Sequence, residues 1–235
     1  KKLGKRAVLV ISDKDWAKDF KGKIIDSLKK SSIFICEVAD SAKPNTPVED
    51  VYKLQDLLVK TRPDFVVVAG GGSAIDCAKA AAALAAISPG KHEIEPFFGT
   101  GEITKILSKN KLKIIPILAI QMSASSAAHL TRYSNITGSI AGQKKLIVDD
   151  SIVPPLALFD YSITKSAGEE LTADGVMDGI SHCTEVYYGA NINKIGSNMF
   201  KKIEEIAVTG ISLLLKNARN SLDNLFNLEY REGIG

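Results

Sequence analysis

A carboxylate and an imidazole stand four residues apart in the segment ADGVMDGISHCTEVYYG, which spans residues 173–189. On a helix of about 3.6 residues per turn, Asp178 and His182 project from one face, where an oxygen and a nitrogen ligand can bind a single divalent cation. Residues 166–193 contain five acidic side chains and neither lysine nor arginine, so a cation would supply the missing positive charge. Because this spacing is common by chance, a solvated polar face stays open as the alternative.

The same segment separates into two chemically different helix faces. One face is apolar and consists of Val176, Ile180, Cys183 and Tyr187, whereas the opposite face consists of Asp178, His182, Glu185 and Gly189. Gly175 and Gly179 each weaken a helix by about 1 kcal/mol relative to alanine, which fits a close approach by another group. The pattern predicts an amphipathic helix whose polar face bears the candidate metal ligands.

Three glycines, Gly70, Gly71 and Gly72, stand between a strand-like run and a helical pattern in VVVAGGGSAIDCAKA. Backbone N–H groups at such a turn approach an anion closely, and the helix N-terminus adds partial positive charge, so we expect a phosphate ligand. Ser73 is the expected N-cap, and Asp76 would complete a capping box; both are expected to belong to the cofactor-binding turn. Neither GxxxxGK[ST] nor GxGxxG is present, which favours a diphosphate held by backbone groups over a nucleoside triphosphate. A turn that needs glycine only for tight packing stays open.

Asp13 directly follows the first strand-like run, AVLVIS at residues 7–12. In an open parallel sheet, ligands bind where the carboxyl ends of the strands meet at a switch point. A carboxylate there accepts hydrogen bonds from ribose hydroxyl groups and repels a 2′-phosphate, which favours NAD over NADP. The structural alternative is that Asp13 caps the helix beginning near Asp15.

The elements that must position these residues alternate between strands and helices. Short apolar runs predict buried strands at residues 7–12, 33–39, 113–120 and 156–160, with another that ends at the glycine turn, and a hairpin that turns near residues 138–142. Helical patterns at residues 15–30, 48–60 and after the glycine turn separate the first strands. This order predicts an α/β fold with a doubly wound, mostly parallel sheet and right-handed crossovers.

From about Ser166 onward the pattern is helical, without strand signals. We therefore expect two domains: a dinucleotide-binding α/β domain at residues 1–165 and a helical metal-binding domain at residues 166–235. The composition excludes several other classes. The net charge of +3 is spread along the chain, and the densest basic run has no arginine or aromatic residue, which argues against nucleic-acid binding. No apolar run approaches the roughly 20 residues of a membrane helix, and three cysteines without a CxxC pair indicate a reducing, cytoplasmic setting.

The segments GGGSAIDCAKA and TADGVMDGISHCTEVYYG together resemble the iron-containing (group III) alcohol dehydrogenase family, which shares its architecture with dehydroquinate synthase. The turn PNTPVEDV at residues 44–51 and PPLALFDYSIT at residues 154–164 are also similar to their family counterparts. The resemblance implies that Gly70 to Ser73 hold the diphosphate of NAD and that Asp13 contacts the adenosine ribose. It also implies that Asp178 and His182 bind Fe²⁺ or Zn²⁺, with an alcohol or aldehyde as substrate and NADP as an alternative cofactor.

Two departures from the family pattern affect these expectations. Where the family has a PTTAGTGSE-like loop on the cofactor, residues 121–130 read QMSASSAAHL. Ser123 and Ser126 keep hydroxyl groups where threonines are expected, so the resemblance implies that both contact the cofactor. His129, which replaces an acid, is expected to form local hydrogen bonds. The family's further metal-binding histidines have no counterpart before residue 235, so the chain resembles a fragment shortened at both ends. A homodimer or larger homo-oligomer is the family expectation.

Three functions therefore stay open on the sequence. The first is a metal-dependent alcohol or aldehyde oxidoreductase, and the second is a polyol or sugar-phosphate dehydrogenase or synthase on the same scaffold. The third is a dinucleotide-binding chain without catalysis.

Overall fold

The computed structural model describes residues 3–124, 126–138 and 142–235. The chain divides into two compact units, of which the first contains Lys1–Gln121 and Ala127–Phe159 and the second contains Met122–Ser126 and Asp160–Gly235. The short segment 122–126 thus belongs with the helices that follow the α/β unit rather than with the sheet that precedes it. The functional boundary expected between residues 165 and 166 stays a prediction.

Eight strands lie in the described residues: β1 (Arg6–Ile11), β2 (Phe34–Ala39), β3 (Phe65–Gly70), β4 (Gly99–Thr100), β5 (Ile117–Gln121), β6 (Tyr133–Thr137), β7 (Lys144–Val148) and β8 (Leu156–Phe159). Five of them form one sheet in the order β2-β1-β3-β5-β8. Every neighbouring pair in that sheet is parallel. The expected doubly wound parallel sheet is therefore confirmed.

The same described residues contain eight α-helices: α1 (Lys18–Lys30), α2 (Val48–Thr61), α3 (Gly72–Ile87), α4 (Glu102–Asn110), α5 (Glu169–Gly189), α6 (Ile192–Ile195), α7 (Ser197–Asp223) and α8 (Leu228–Ile234). Short 3₁₀ turns occupy Asp15–Ala17, Glu95–Phe97, Asp150–Ile152 and Tyr161–Ser166. The first helical region thus begins as a 3₁₀ turn and becomes α-helical at Lys18. Among the helices that the structure describes, none has both the length and the apolar character needed to cross a lipid bilayer.

The central strands are buried on both faces, which explains why their sequences are continuously apolar rather than alternating. β3 is buried at every position, and β1 at every position after Arg6. One face of these strands packs against α2 and α3 in a single apolar cluster. In α3 every residue from Ala74 to Leu84 is buried, and the alanine side chains there let the helix lie close to its neighbours. This packing fixes the start of α3 at the carboxyl end of β3.

A second, smaller sheet contains the expected hairpin. β6 and β7 pair antiparallel, and β4 adds to β7 in parallel, giving the order β4-β7-β6. The expected turn near residues 138–142 lies partly outside the described residues. The strand expected at 113–120 starts only at Ile117, because Pro116 has no N–H group with which to extend the ladder.

The helical unit has its own small core. Val176 of α5, Leu214 of α7 and Ile234 of α8 are buried together. Arg231 of α8 is also buried, at 2% exposed. Its guanidinium donates to the Leu225 and Ala167 carbonyl oxygens and to Thr172 Oγ1 at 2.8 to 2.9 Å. These bonds tie α8 to the start of α5, the helix that carries the candidate metal ligands.

Candidate cofactor and metal sites

The switch point of the sheet lies between β1 and β3. From β1 the chain moves outward to β2 and then returns to the other side of β1 as β3. Ile11, the last residue of β1, pairs with Ala69 next to the end of β3. The residues that follow, Asp13 on one strand and the glycine turn on the other, therefore leave the sheet at neighbouring positions. This is the crevice in which open α/β sheets bind ligands.

Asp13 is exposed at this edge. Its backbone N–H donates to Asp40 Oδ1 at 3.1 Å, and Asp40 is the first residue after β2. The 3₁₀ turn that follows has Lys14 as its N-cap and no side-chain capping bond. The alternative in which Asp13 caps this helix is therefore wrong, because the turn begins at Asp15 and its N-cap position falls on Lys14.

Asp40 is a residue that the sequence analysis missed. It places a second carboxylate beside Asp13, at the carboxyl end of the adjacent strand. Two carboxylates at this edge repel a ribose 2′-phosphate, the group that distinguishes NADP from NAD, more strongly than one carboxylate does. The available signal was an acid directly after a predicted second strand, which is where dinucleotide-binding folds place their ribose-binding carboxylate.

The glycine turn brings β3 and α3 very close together. A Cβ atom built on Gly70 would lie 2.6 Å from Ala74 Cβ, a distance that no packed side chain tolerates. Only glycine at position 70 lets the first turn of α3 start directly over the strand end. The N–H groups of that first turn have no intrahelical acceptor, so they are available to an anion.

The expected capping box is wrong. The N-cap of α3 is Gly71, and no side chain caps the helix. Ser73 lies inside the first turn, where its Oγ accepts a hydrogen bond from the Asn45 backbone N–H at 3.1 Å. Asp76 is buried, and its Oδ2 accepts from the Asn135 backbone N–H of β6 at 3.0 Å. The Asp76 carboxylate, which the local pattern assigns to the helix cap, therefore forms a long-range hydrogen bond with β6 instead. The cofactor contact expected of Asp76 stays a prediction.

Asp76 and Lys79 form a buried pair between α3 and β6. Lys79 Nζ lies 4.0 Å from Asp76 Oδ1 and donates to the carbonyl oxygens of Thr131 and Tyr133 at 2.8 and 2.9 Å. Burial raises the pKa of Asp76 from 3.8 to about 6, and burial lowers the pKa of Lys79 to about 8. The pair holds α3, and with it the glycine turn, against the second sheet.

We expect the Asp76→Asn variant to lose a specific pH dependence of stability. Between pH 3.8 and about 6 the folded wild type keeps a proton that the unfolded chain has released, so its free energy of unfolding falls as pH rises through this window. Asparagine keeps an acceptor for the Asn135 N–H but does not titrate. Urea unfolding at several pH values measures this. The free energy of unfolding of the variant, relative to that of the wild type, should increase by up to about 3 kcal/mol from pH 4 to pH 7. A constant difference across this window would contradict the assignment.

Asp178 and His182 lie together on α5. Asp178 Oδ2 is 3.4 Å from His182 Nδ1, and their side chains are 56% and 62% exposed. Val176 is buried and Ile180 packs against the same core, while Tyr187 contacts Phe200 of α7 with ring centroids 5.8 Å apart. The predicted apolar and polar faces of α5 are therefore present, and the polar face is exposed to solvent.

Gly175 of α5 lies beside Ala124, with room for a methyl group at ordinary van der Waals distance. A Cβ atom on Gly175 would lie 3.4 Å from Ala124 Cβ, so Ala124 packs against α5 about one turn before Asp178, and this contact does not require glycine. Gly179 is buried. The expected cofactor contacts of Ser123 and Ser126, on either side of Ala124, stay predictions. His129 is buried and stacks on Phe159, with ring centroids 6.0 Å apart.

The Asp178–His182 pair fits part of a metal site. Carboxylate oxygen and imidazole nitrogen are suitable donors for Fe²⁺ or Zn²⁺, and the helix presents both on one accessible face. Within residues 3–124, 126–138 and 142–235, however, no group of three or more His, Cys, Asp or Glu side chains is arranged to hold a metal ion. Catalytic zinc sites use three protein ligands, so within the described residues the Asp178–His182 pair does not form a complete ligand set by itself.

Comparison with known proteins identifies the family. Residues 1–161 match the model of the family described as iron-containing alcohol dehydrogenase. The chain belongs to the iron-containing alcohol dehydrogenase family. The family match ends before α5, whereas alignments with individual members continue through it.

Two curated members of the iron-containing alcohol dehydrogenase family illustrate the relationship. Alcohol dehydrogenase 4 of Schizosaccharomyces pombe is 30% identical over 212 residues, covering 90% of this chain and 46% of the relative. NADPH-dependent butanol dehydrogenase of Clostridium saccharobutylicum is 30% identical over 187 residues, covering 78% of this chain and 46% of the relative. The chain spans about half the length of the curated relatives it matches.

A solved structure of the same family shares the fold. NADH-dependent butanol dehydrogenase A of Thermotoga maritima superposes with a TM-score of 0.81 at 24% identity, covering 97% of this chain and 54% of that protein. The architecture of an iron-containing alcohol dehydrogenase is thus present across nearly the whole chain.

Proposed function

We propose that this chain carries the NAD-binding part and two metal ligands of an oxidoreductase that transfers hydride between NAD(P) and an alcohol or aldehyde. One structural observation carries the proposal: Asp13 and the Gly70–Ser73 turn leave adjacent parallel strands at the switch point of the sheet. Membership of the family supports the reaction class, and the Asp178–His182 pair supports the metal requirement.

The roles of the chain's own residues follow from their positions. The N–H groups at the start of α3 bind the diphosphate of the dinucleotide, and Ser73 adds a hydroxyl group. Asp13 accepts hydrogen bonds from the adenosine ribose. Asp178 and His182 supply one oxygen and one nitrogen ligand to Fe²⁺ or Zn²⁺ on the open face of α5. The metal, when bound, supplies Lewis-acid polarisation of the alcohol oxygen, and the fold's contribution is orientation of cofactor and substrate.

Cofactor preference is a separable prediction. Replacing Asp13 with asparagine removes one negative charge from the ribose edge while keeping the side-chain shape. We expect the affinity for NADP to rise relative to NAD by about tenfold, which corresponds to about 1.4 kcal/mol. Calorimetric titration of the complete gene product with each cofactor measures the ratio.

Asp15→Asn is the matched control for this charge effect. Asp15 is exposed two residues further along the same loop and forms an ion pair with Lys18 at 2.5 Å. If the Asp15 variant shifts the cofactor ratio as much as the Asp13 variant, the effect is a general change of surface charge and the ribose contact is wrong.

A second candidate function is dinucleotide binding without turnover. The observation that favours it is the sequence QMSASSAAHL at residues 121–130, which differs from the cofactor-contacting loop expected of the family. A polyol or sugar-phosphate dehydrogenase or synthase on the same scaffold is an alternative form of the main proposal. The relative rates of turnover of alcohols, polyols and sugar phosphates distinguish it.

The test combines cofactor, metal and substrate. The complete gene product is loaded with Fe²⁺ or Zn²⁺ and assayed with NAD or NADP against butanol, 1,3-propanediol, their aldehydes, glycerol and glycerol phosphate. The proposal expects metal-dependent NADH or NADPH formation with at least one alcohol. Tight NAD binding with no turnover across the panel would favour the second candidate, and the absence of NAD binding would overturn both.

A further inference from the structure

The turn Lys43–Pro47, which precedes α2, contains two consecutive non-glycine residues in the left-handed region. Asn45 has φ +66° and Thr46 has φ +49°. Asparagine adopts this conformation at modest cost, but a β-branched residue there is a genuine outlier. Thr46 also precedes Pro47, and a following proline disfavours helical backbone angles of the residue before it. The chain therefore holds a strained conformation at this position.

Several contacts force the backbone into this conformation. Thr46 is 1% exposed, and its Oγ1 donates to the Ser73 carbonyl oxygen at 3.2 Å. The Thr46 carbonyl oxygen accepts from the Thr137 N–H at 2.9 Å, and Thr137 Oγ1 donates to the Asn45 carbonyl oxygen at 2.5 Å. The turn is therefore fixed between the end of β6 and the first turn of α3. Strain that persists under such constraints is found mainly at functional sites.

The same turn determines what Ser73 offers to a ligand. The Asn45 backbone N–H donates to Ser73 Oγ at 3.1 Å. A serine hydroxyl has one proton and two lone pairs, so an oxygen that accepts this bond still has its own proton to donate. The carbonyl of the same residue is held by Thr46. The turn therefore fixes both oxygens of Ser73 in the helix turn that follows Gly70–Gly72.

We propose that the strained Asn45–Thr46 turn positions the first turn of α3 for diphosphate binding, with Thr46 as the positioning residue. The inference rests on the proposed NAD-binding function of the glycine turn and assigns to a separate segment the task of holding Ser73. The strained backbone conformation of Thr46 brings its hydroxyl group within hydrogen-bond distance of the Ser73 carbonyl oxygen.

The experiment separates positioning from stability with three variants. Thr46→Gly removes the hydroxyl but accommodates the positive φ, so the relief of strain offsets part of the lost bond. Thr46→Ser keeps the hydroxyl and removes the β-branch. Arg62→Gly is the control, because it relieves backbone strain at another left-handed residue, the C-cap of α2 with φ +46°. Arg62 lies before β3, whereas the glycine turn follows β3. Each is measured by NAD calorimetry and by urea unfolding of the complete gene product.

We expect NAD to bind Thr46→Gly about tenfold more weakly than wild type, a change of about 1.4 kcal/mol. Thr46→Ser should stay within about twofold, as should Arg62→Gly, which should unfold at higher urea. Three outcomes overturn the inference while leaving the proposed function intact: unchanged NAD affinity in Thr46→Gly, equal weakening in Thr46→Ser, or equal weakening in Arg62→Gly. A wild type that does not bind NAD overturns the proposed function and this inference together.

Discussion

We expect the Gly70→Ala variant to bind NAD at least tenfold more weakly than wild type and to unfold about 1–3 kcal/mol more easily. The added methyl group would lie 2.6 Å from Ala74 Cβ. Alanine has no flexible end that can move aside, so the backbone at the start of α3 must shift. That shift moves the N–H groups that we propose bind the diphosphate. NAD calorimetry and urea unfolding measure the two effects.

The control for this substitution is Gly22→Ala in α1. A Cβ atom at Gly22 meets nothing within 4 Å, and the residue is exposed. Alanine in a helix interior is favoured over glycine by about 1 kcal/mol, so this variant should be slightly more stable and should bind NAD as wild type does. If Gly70→Ala retains wild-type NAD affinity, the glycine turn serves packing only.

We expect Asp178→Ala to lower the metal affinity of the complete gene product by at least about 100-fold, since removing even an outer-shell partner of a ligand costs about 10- to 100-fold. His182→Ala should act similarly. Alcohol-dependent NADH formation should fall with the metal content, and added Fe²⁺ or Zn²⁺ at high concentration should restore it in part. Both side chains are more than half exposed, so the free energy of unfolding of the metal-free protein should change by no more than about 0.5 kcal/mol.

Asp174→Ala is the control for the metal prediction. Asp174 is an exposed acid four residues before Asp178 on the same helix. If the metal is held by specific coordination, loss of the Asp174 carboxylate leaves its affinity unchanged. If the cation is attracted to a generally acidic surface, either substitution weakens its binding. Equal effects of Asp174→Ala and Asp178→Ala would contradict direct ligation by Asp178.

Local sequence patterns predicted the elements around the candidate site well. The continuous apolar runs of β1 and β3 follow from burial on both faces, and the glycine turn marks the junction with α3. The separation of polar and apolar faces on α5 follows from helical periodicity. These features depend on residues close together in the sequence, which is why they could be read from it.

The failures have a different physical origin. Asp76 was assigned to a helix cap three residues from Ser73, but it binds Asn135, which is 59 residues away. The cap of Ser73 is likewise replaced by a contact with the Asn45 N–H. Such long-range hydrogen bonds compete with local capping and leave no local signal. β4 contains only two residues and exists by pairing with β7, so no periodicity could indicate it.

The proposed function requires a cation bound by Asp178 and His182 as well as NAD bound at the glycine turn. The most direct measurement is alcohol-dependent NADH formation by the complete gene product as a function of its iron or zinc content per chain. We predict activity that rises in proportion to the metal and levels off at one equivalent. Full activity in a preparation without metal would contradict the claim.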